Sequence, residues 1–131
     1  LSFTIAVSGK GGTGKTTVSA LIIRHLLKTG RGPVLAIDAD ANANLADALG
    51  VEVDQTVGST IAEFFDNRMN LPAGMTKESY LELKLNQILV ETEDLDMLVM
   101  GRGEGPGCYC FPNLMIRKFQ DELKDNYPYI V

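Results

Sequence analysis

The sequence predicts an α/β fold in which helices flank a mostly parallel sheet. Three apolar runs of strand length, at 3–7, 34–37 and 95–100, show little alternation with polar residues. Central strands of a parallel sheet are covered on both faces, so they appear as continuous apolar runs of this kind. Each run leads into a polar or glycine-rich loop, and helix-like segments follow the first two loops. Strands that alternate with helices along one chain are typical of this fold class.

The loop after the first run contains a phosphate-binding pattern. Residues 9–16 match G-x-x-x-x-G-K-[ST] between a strand and a helix, which is the context that this pattern requires. Glycines let successive N–H groups converge on one anion, and the helix N-terminus adds partial positive charge. Lys15 is predicted to bind the β- and γ-phosphates, and the Thr16 hydroxyl to ligate Mg²⁺. The sequence thus predicts a P-loop nucleoside-triphosphate site, bound by Gly9, Lys10, Gly11, Gly12, Thr13, Gly14, Lys15, Thr16 and Thr17.

Two carboxylates, Asp38 and Asp40, follow the second apolar run. The carboxyl ends of strands form the edge at which open α/β sheets bind ligands, so both side chains are candidates for the nucleotide site. A polar strand-to-helix loop, in which Asn42 or Asn44 caps the next helix, is an alternative explanation of the same stretch.

The third apolar run leads into a glycine-rich segment at 101–110, which contains both cysteines of the chain, Cys108 and Cys110. In an extended backbone, residues two apart point to the same side, so both sulfurs would face one direction. In a cytosolic chain such a pair is more often metal-binding or redox-active than a structural bridge. Two thiolates leave a soft metal under-coordinated, but a two-fold dimer would supply four, a set suited to Zn²⁺ or Ni²⁺. Alone, C-x-C is a weak signal.

Composition limits the class of protein. A chain of 131 residues suits a single domain over 1–131. The net charge of −5 and pI near 4.8 disfavour a broad nucleic-acid surface. No apolar run approaches the ~20 residues of a membrane span, and no signal peptide is apparent. We therefore expect a cytoplasmic protein without nucleic-acid or membrane partners. Because the chain begins at Leu1 and a strand has barely started at 129–131, we also expect an N-terminal fragment.

The remaining elements are predicted from periodicity. A helix is expected over 15–29, followed by short helices over 45–50 and 61–65, the latter capped by residues 58–60. The segment at 80–89 fits either a helix or a strand, and the region at 50–94 carries no chemical motif. The buried face of the first helix is expected to consist of Val18, Leu21, Ile22, Leu26 and Leu27.

The phosphate-binding loop has a second lysine, Lys10, directly after Gly9. In this respect it resembles the deviant Walker A signature of the MinD, ParA and nitrogenase-iron-protein class, in which the early lysine reaches the partner subunit's phosphates across a two-fold interface. The resemblance implies that Lys10 acts in trans, that Asp40 orients the attacking water and that Asp38 supports the Mg²⁺ shell. It thereby implies ATP hydrolysis with Lys10, Lys15 and Asp40 as catalytic residues.

Taken in order, the deviant loop, the Asp-x-Asp strand end and the segment at 100–110 are similar to the CooC-type accessory ATPases. These serve nickel insertion into carbon monoxide dehydrogenase, and relatives serve acetyl-CoA synthase. The resemblance covers nearly the whole chain and implies a homodimer that binds ATP and Mg²⁺. It also implies Ni²⁺ or Zn²⁺ held between paired Cys108 and Cys110, with one of those enzymes as client. Two alternatives are a MinD/ParA-like positioning ATPase and an iron–sulfur ATPase resembling nitrogenase iron protein.

Overall fold

The computed structural model describes residues 1–67, 70–103 and 110–131, and at 110–112 it describes the backbone. The described residues form five strands: β1 (Phe3–Thr4), β2 (Val34–Asp38), β3 (Val90–Glu91), β4 (Leu95–Val99) and β5 (Tyr129–Ile130). They also form five α-helices: α1 (Lys15–Lys28), α2 (Leu45–Leu49), α3 (Val57–Asn67), α4 (Lys77–Ile88) and α5 (Cys110–Leu123). A short 3-10 helix (Lys124–Asn126) precedes β5.

The strands form one sheet in the order β1-β5-β2-β4-β3. Strands β1, β5, β2 and β4 run parallel, and only β3 pairs antiparallel, with β4. The pairing of β2 with β4 runs from Val34 opposite Leu95 to Asp38 opposite Val99. The predicted mostly parallel α/β sheet is confirmed. Its parallel strands bring the loops after β1, β2 and β4 to one edge, as the ligand-binding edge of such sheets requires.

Both faces of the sheet are covered. Leu98 packs into a cluster with α3, α4 and α5, whereas its neighbours Met97 and Val99 pack into a second cluster with α1 and α2. This alternation follows from the period of two along a strand. Strand β2 is correspondingly apolar, because its residues are buried whichever face they occupy.

The predicted buried face of α1 is wrong at two positions. Val18 and Leu21 are 47% and 61% exposed. The residues buried on α1 are Ala20, Ile23 and Leu26, with Ile22 and Leu27 partly buried beside them. Apolar residues surround most of this helix, so periodicity alone leaves its rotation open, and the small Ala20 permits close approach to the sheet.

Local capping hydrogen bonds determine where the two helices in the middle of the chain, α3 and α4, begin. The ambiguous segment at 80–89 belongs to helix α4, whose N-cap Thr76 accepts a hydrogen bond from Ser79 N at 3.1 Å. Helix α3 begins at Val57, four residues before the predicted start, because Thr56 and Ser59 bond reciprocally. Ser59 N donates to Thr56 Oγ1 at 3.1 Å and Thr56 N donates to Ser59 Oγ at 3.0 Å, which is the pattern of a capping box. None of the described helices combines the length and apolar character that a bilayer span would need.

Candidate nucleotide-binding site

A cavity of about 660 Å³ lies where β2 and β4 end. The loop after β1 contributes Gly9 and Gly11, and the start of α1 contributes Lys15 and Thr16. Asp38 at the end of β2 and Asp40 in the following loop also line the cavity, as do Met100 and Asn113. Its volume falls within the range of about 300–1,000 Å³ that is usual for small-molecule sites. The sheet therefore brings the two motifs predicted to act on a nucleotide into one cavity.

The phosphate-binding loop has a backbone suited to an anion. Gly12 and Gly14 have φ values of 78° and 94°, in the left-handed region that favours glycine. No heavy atom lies within 4 Å of the position that a Cβ would take at either residue. Gly14 is the N-cap of α1, and no side chain of a described residue caps this N-terminus by a hydrogen bond. The first N–H groups of α1 are therefore open to a phosphate, which the helix dipole would also favour.

The two lysines of the loop differ in position. Lys15 lines the cavity, and its Nζ donates to the carbonyl oxygen of Lys10 at 3.1 Å. Thr13 Oγ1 donates to the same carbonyl at 2.6 Å, so the backbone of Lys10 organises the loop. The side chain of Lys10 is exposed. Within the described part of the chain, Lys10, Gly12, Thr13, Gly14 and Thr17 are not among the residues that line the cavity.

Asp38 is a buried carboxylate, 7% exposed, that connects β2 to α2. Its Oδ1 accepts a hydrogen bond from Asp40 N and its Oδ2 accepts one from Leu45 N, both at 3.0 Å. It thus satisfies the first residue of α2, while Asn44 occupies the N-cap position without a side-chain cap bond. Each carboxylate oxygen keeps a further lone pair. This donor set fits a contact to Mg²⁺-bound water, which is the Mg²⁺-shell role predicted for Asp38.

Asp40 stands at the rim of the cavity, with an exposed side chain. Its Oδ1 accepts a hydrogen bond from Asn42 N at 2.9 Å, and its carbonyl oxygen accepts one from Ala43 N at 3.1 Å. Its Oδ2 has no hydrogen bond to a described residue. A carboxylate that lines the cavity, is fixed by its own turn and has one oxygen without a bond to a described residue can orient a water molecule.

The structure describes only one of the two predicted metal ligands. Cys110 is the first residue of helix α5, and the direction of its sulfur relative to that of Cys108 stays a prediction. Cys108 lies outside the described residues. In the ranges that the structure describes, no group of three or more His, Cys, Asp or Glu residues is arranged to hold a metal ion.

Asn113, in the first turn of α5, is a polar residue of the cavity wall that sequence reasoning did not assign to the site. A signal for it exists in the sequence. The helix after a strand's carboxyl end starts at the ligand-binding edge, so a polar residue in its first turn is a candidate contact.

Comparison with known proteins agrees with this geometry. The family described as "CobQ/CobB/MinD/ParA nucleotide binding domain" matches residues 4–123. An uncharacterized ATP-binding protein of Methanocaldococcus jannaschii is 49% identical over 129 residues, covering 97% of this chain and 51% of the relative. The carbon monoxide dehydrogenase accessory protein CooC of Rhodospirillum rubrum is 32% identical over 123 residues, covering 86% of this chain and 46% of the relative.

A virulence plasmid ParA family protein of Chlamydia psittaci is 36% identical over 84 residues, covering 64% of this chain and 32% of the relative. The chain spans about half the length of the Methanocaldococcus and Rhodospirillum relatives. The family match extends over nearly the whole chain and includes the loop, both carboxylates and all of α5. The chain belongs to the CobQ/CobB/MinD/ParA nucleotide-binding domain family.

Proposed function

We propose that this chain is the nucleotide-binding part of a dimeric ATPase that carries a metal ion and assists nickel insertion into carbon monoxide dehydrogenase or acetyl-CoA synthase. The observation that carries the proposal is the course of the cysteine-bearing segment. It leaves the sheet at Met100, which lines the nucleotide cavity, and ends in a helix that begins at Cys110 and returns Asn113 to that cavity. Along the sequence, the two cysteines that would hold the metal therefore lie between Met100 and Asn113, both of which line the nucleotide cavity.

The hydrolytic step follows from the residues of the cavity. The phosphate-binding loop and Lys15 would bind the phosphates of ATP, and Asp40 would orient a water molecule. The water oxygen bonds to the γ-phosphorus as the bond to the β–γ bridging oxygen breaks, which yields ADP and inorganic phosphate. Thr16, together with water bound to Asp38, would hold Mg²⁺, which neutralises charge on the β- and γ-oxygens.

Dimerisation is proposed from the position of Lys10. Its side chain is exposed and does not line the cavity of its own subunit. A cation in this position is available to the nucleotide of a second subunit, so ATP would stabilise the dimer. Two-fold symmetry would then juxtapose Cys108 and Cys110 with their copies in the partner.

The metal is proposed to be cargo rather than a resident cofactor. Four thiolates from two C-x-C motifs suit Ni²⁺ or Zn²⁺, and metal affinity should fall at low pH as the thiols become protonated. A reducing compartment such as the cytoplasm would keep both cysteines reduced. The similarity to the Rhodospirillum CooC protein supports the choice of client, because that protein is named as an accessory of carbon monoxide dehydrogenase.

The similarity to a ParA family protein favours a second candidate, a positioning ATPase that binds DNA or a membrane. Both candidates use the same nucleotide site. They differ in the role of Cys108 and Cys110, which is incidental in a positioning ATPase.

The test is elemental analysis of the protein in its full natural length, purified without oxygen, with and without Mg²⁺ and ATP. We expect about one nickel or zinc ion per dimer, bound through four thiolates. The double variant Cys108→Ser, Cys110→Ser should lose the metal and keep nucleotide affinity. Lys15→Ala is the opposite control, which should lose nucleotide and bind metal as the wild type does in the absence of ATP.

Three outcomes would contradict the proposal. A double variant that still binds metal would overturn the ligand assignment. Iron together with sulfide would indicate an electron-transfer ATPase. A protein without metal in every nucleotide state, which instead co-sediments with liposomes or DNA, would be a positioning ATPase.

A further inference from the structure

Asn113 lies in the first turn of α5 and shares the cavity with Lys15, Thr16 and Asp40. Its side chain is exposed, and it makes no hydrogen bond to any residue in the described ranges. A carboxamide offers two N–H donors and one acceptor oxygen. It can therefore donate to a phosphate oxygen without adding charge. Nothing in the packing of the described residues requires an asparagine at this position.

The cysteine-bearing segment is fixed where it leaves the sheet. Met100 N donates to the carbonyl oxygen of Asp38 at 2.8 Å, and Gly58 N donates to the carbonyl oxygen of Met100 at 2.8 Å. These two bonds connect the end of β2, the residue after β4 and the start of α3. The position of Met100 is thus fixed by the strand that carries Asp38.

Close packing reinforces this connection. A Cβ at Gly58 would clash with the carbonyl oxygen of Arg102, and a Cβ at Gly101 would lie 2.7 Å from Thr56 Oγ1. Gly101 also has a φ of +64°, which favours glycine. We call residues 56–58 and 100–102 the clamp. The clamp holds the start of the segment against α3.

At the other end of the segment, the described side chains of α5 differ in burial. Met115, Ile116 and Phe119 are buried, so the later turns of α5 are anchored in the core. The first turn lies beyond this anchor, with Asn113 exposed at the cavity. Cys110 precedes Asn113 by three positions in the same helix, where the rise is about 1.5 Å per residue. A force applied at Asn113 is therefore transmitted to the backbone of Cys110.

We propose that Asn113 is a positioning residue that contacts the terminal phosphate of bound ATP and thereby sets the position of the first turn of α5, including Cys110. The clamp holds one end of the cysteine-bearing segment constant, and Asn113 makes the other end depend on the nucleotide. The contact with the phosphate stands independently, whereas its effect on metal binding rests on the function proposed above.

The first test compares affinities for a non-hydrolysable ATP analogue and for ADP in the full-length protein. Asn113→Ala should weaken the analogue about tenfold, as expected for one hydrogen bond to a charged group. It should change ADP affinity less than about twofold, because ADP lacks the terminal phosphate. Asn113→Asp should weaken the analogue further, because a carboxylate repels the phosphate.

The matched control is Asn86→Ala on α4. Asn86 is exposed, and its side chain donates to the carbonyl oxygen of Glu82 at 2.9 Å, within its own helix. This variant should bind both nucleotides as the wild type does. If Asn113→Ala and Asn113→Asp retain wild-type affinity for the analogue, or lose affinity for analogue and ADP equally, the proposal is overturned.

The second test measures metal affinity with and without the ATP analogue. If the nucleotide changes metal affinity by some factor, the metal changes nucleotide affinity by the same factor. Asn113→Ala should bring this factor close to one while leaving metal affinity in the absence of nucleotide unchanged. If the ATP analogue changes the metal affinity of Asn113→Ala by the same factor as that of the wild type, the inference is overturned and the metallochaperone function is left intact. A wild-type protein without metal would instead overturn the metallochaperone function, and the first test would still decide the phosphate contact.

Discussion

The nucleotide-binding loops and the cysteine-bearing segment obtain their geometry in different ways. In the former, residues close in sequence fix the backbone: Thr13 bonds to Lys10, and Asn42 bonds to Asp40. The start of the latter is fixed by residues distant in sequence, since Gly58 bonds to Met100. A stretch of consecutive residues can therefore specify a phosphate site, whereas the cysteine-bearing segment depends on α3 for its position. Substitutions in the two regions should have different consequences.

The largest effect is expected for Lys15→Ala, which removes the cation that we predict to bind the phosphates. Loss of a charge-assisted interaction of roughly 2–3 kcal/mol should weaken ATP binding about a hundredfold. The thermal midpoint should stay close to the wild-type value, because this lysine bonds only locally. Isothermal titration calorimetry measures the affinity, and Lys28→Ala at the end of α1 is the control. A large fall in stability would contradict the local character of the loop.

Asp40→Asn should lower kcat by a factor on the order of 10–100 and leave ATP affinity within about twofold. The amide keeps the size of the side chain and its turn with Asn42, but it positions a water molecule less well than a carboxylate. Phosphate release under single-turnover conditions measures the step. Asp66→Asn, an exposed change on α3, is the control. Unchanged kcat in Asp40→Asn would remove Asp40 from the mechanism.

Alanine substitutions at two glycines, one in the clamp and one in the phosphate-binding loop, compare the two regions directly. Gly58→Ala should lower the free energy of unfolding by about 1–3 kcal/mol, because the added Cβ meets the backbone of Arg102. This cost should exceed the gain in helix propensity of about 1 kcal/mol. Gly11→Ala has open space around the new Cβ and should leave stability within about 0.5 kcal/mol. If urea unfolding shows that Gly58→Ala and Gly11→Ala lower the free energy of unfolding equally, the clamp is packed no more closely than the phosphate-binding loop.

The smallest effect concerns the other end of β4. The Tyr127 hydroxyl donates to Asp96 Oδ2, and burial together with this carboxylate raises the pKa of Tyr127 above its ordinary value near 10. A raised pKa in the folded state means that the contribution to stability is complete below pH ~10 and is lost as the pH rises further.

Tyr127→Phe should therefore cost about 1 kcal/mol at neutral pH, and its stability should decline less than that of the wild type above pH ~10. Urea unfolding at several pH values measures both effects. Tyr80→Phe is the control, since no hydrogen bond joins its hydroxyl to a described residue. Parallel pH profiles for wild type and Tyr127→Phe would contradict the assignment.

The sequence predicted the structure correctly where consecutive residues determine both the chemistry and the backbone geometry. The phosphate-binding loop predicted the start of α1 at Lys15, and the Asp-x-Asp stretch predicted the end of β2. The prediction of α3 failed because its start depends on a reciprocal bond between Thr56 and Ser59, which the run of apolar residues does not reveal.

By itself, the sequence determined the α/β class, the parallel strands and the nucleotide-binding end, because glycine conformations, strand burial and helix starts are local properties. Tertiary structure decided which face of α1 is buried, where Asn113 lies and how Gly58 and Gly101 hold the cysteine-bearing segment. These features depend on contacts between residues far apart in the chain. Such contacts form only when the sheet order places α3 and α5 beside the end of β4, and no short stretch of sequence encodes that order.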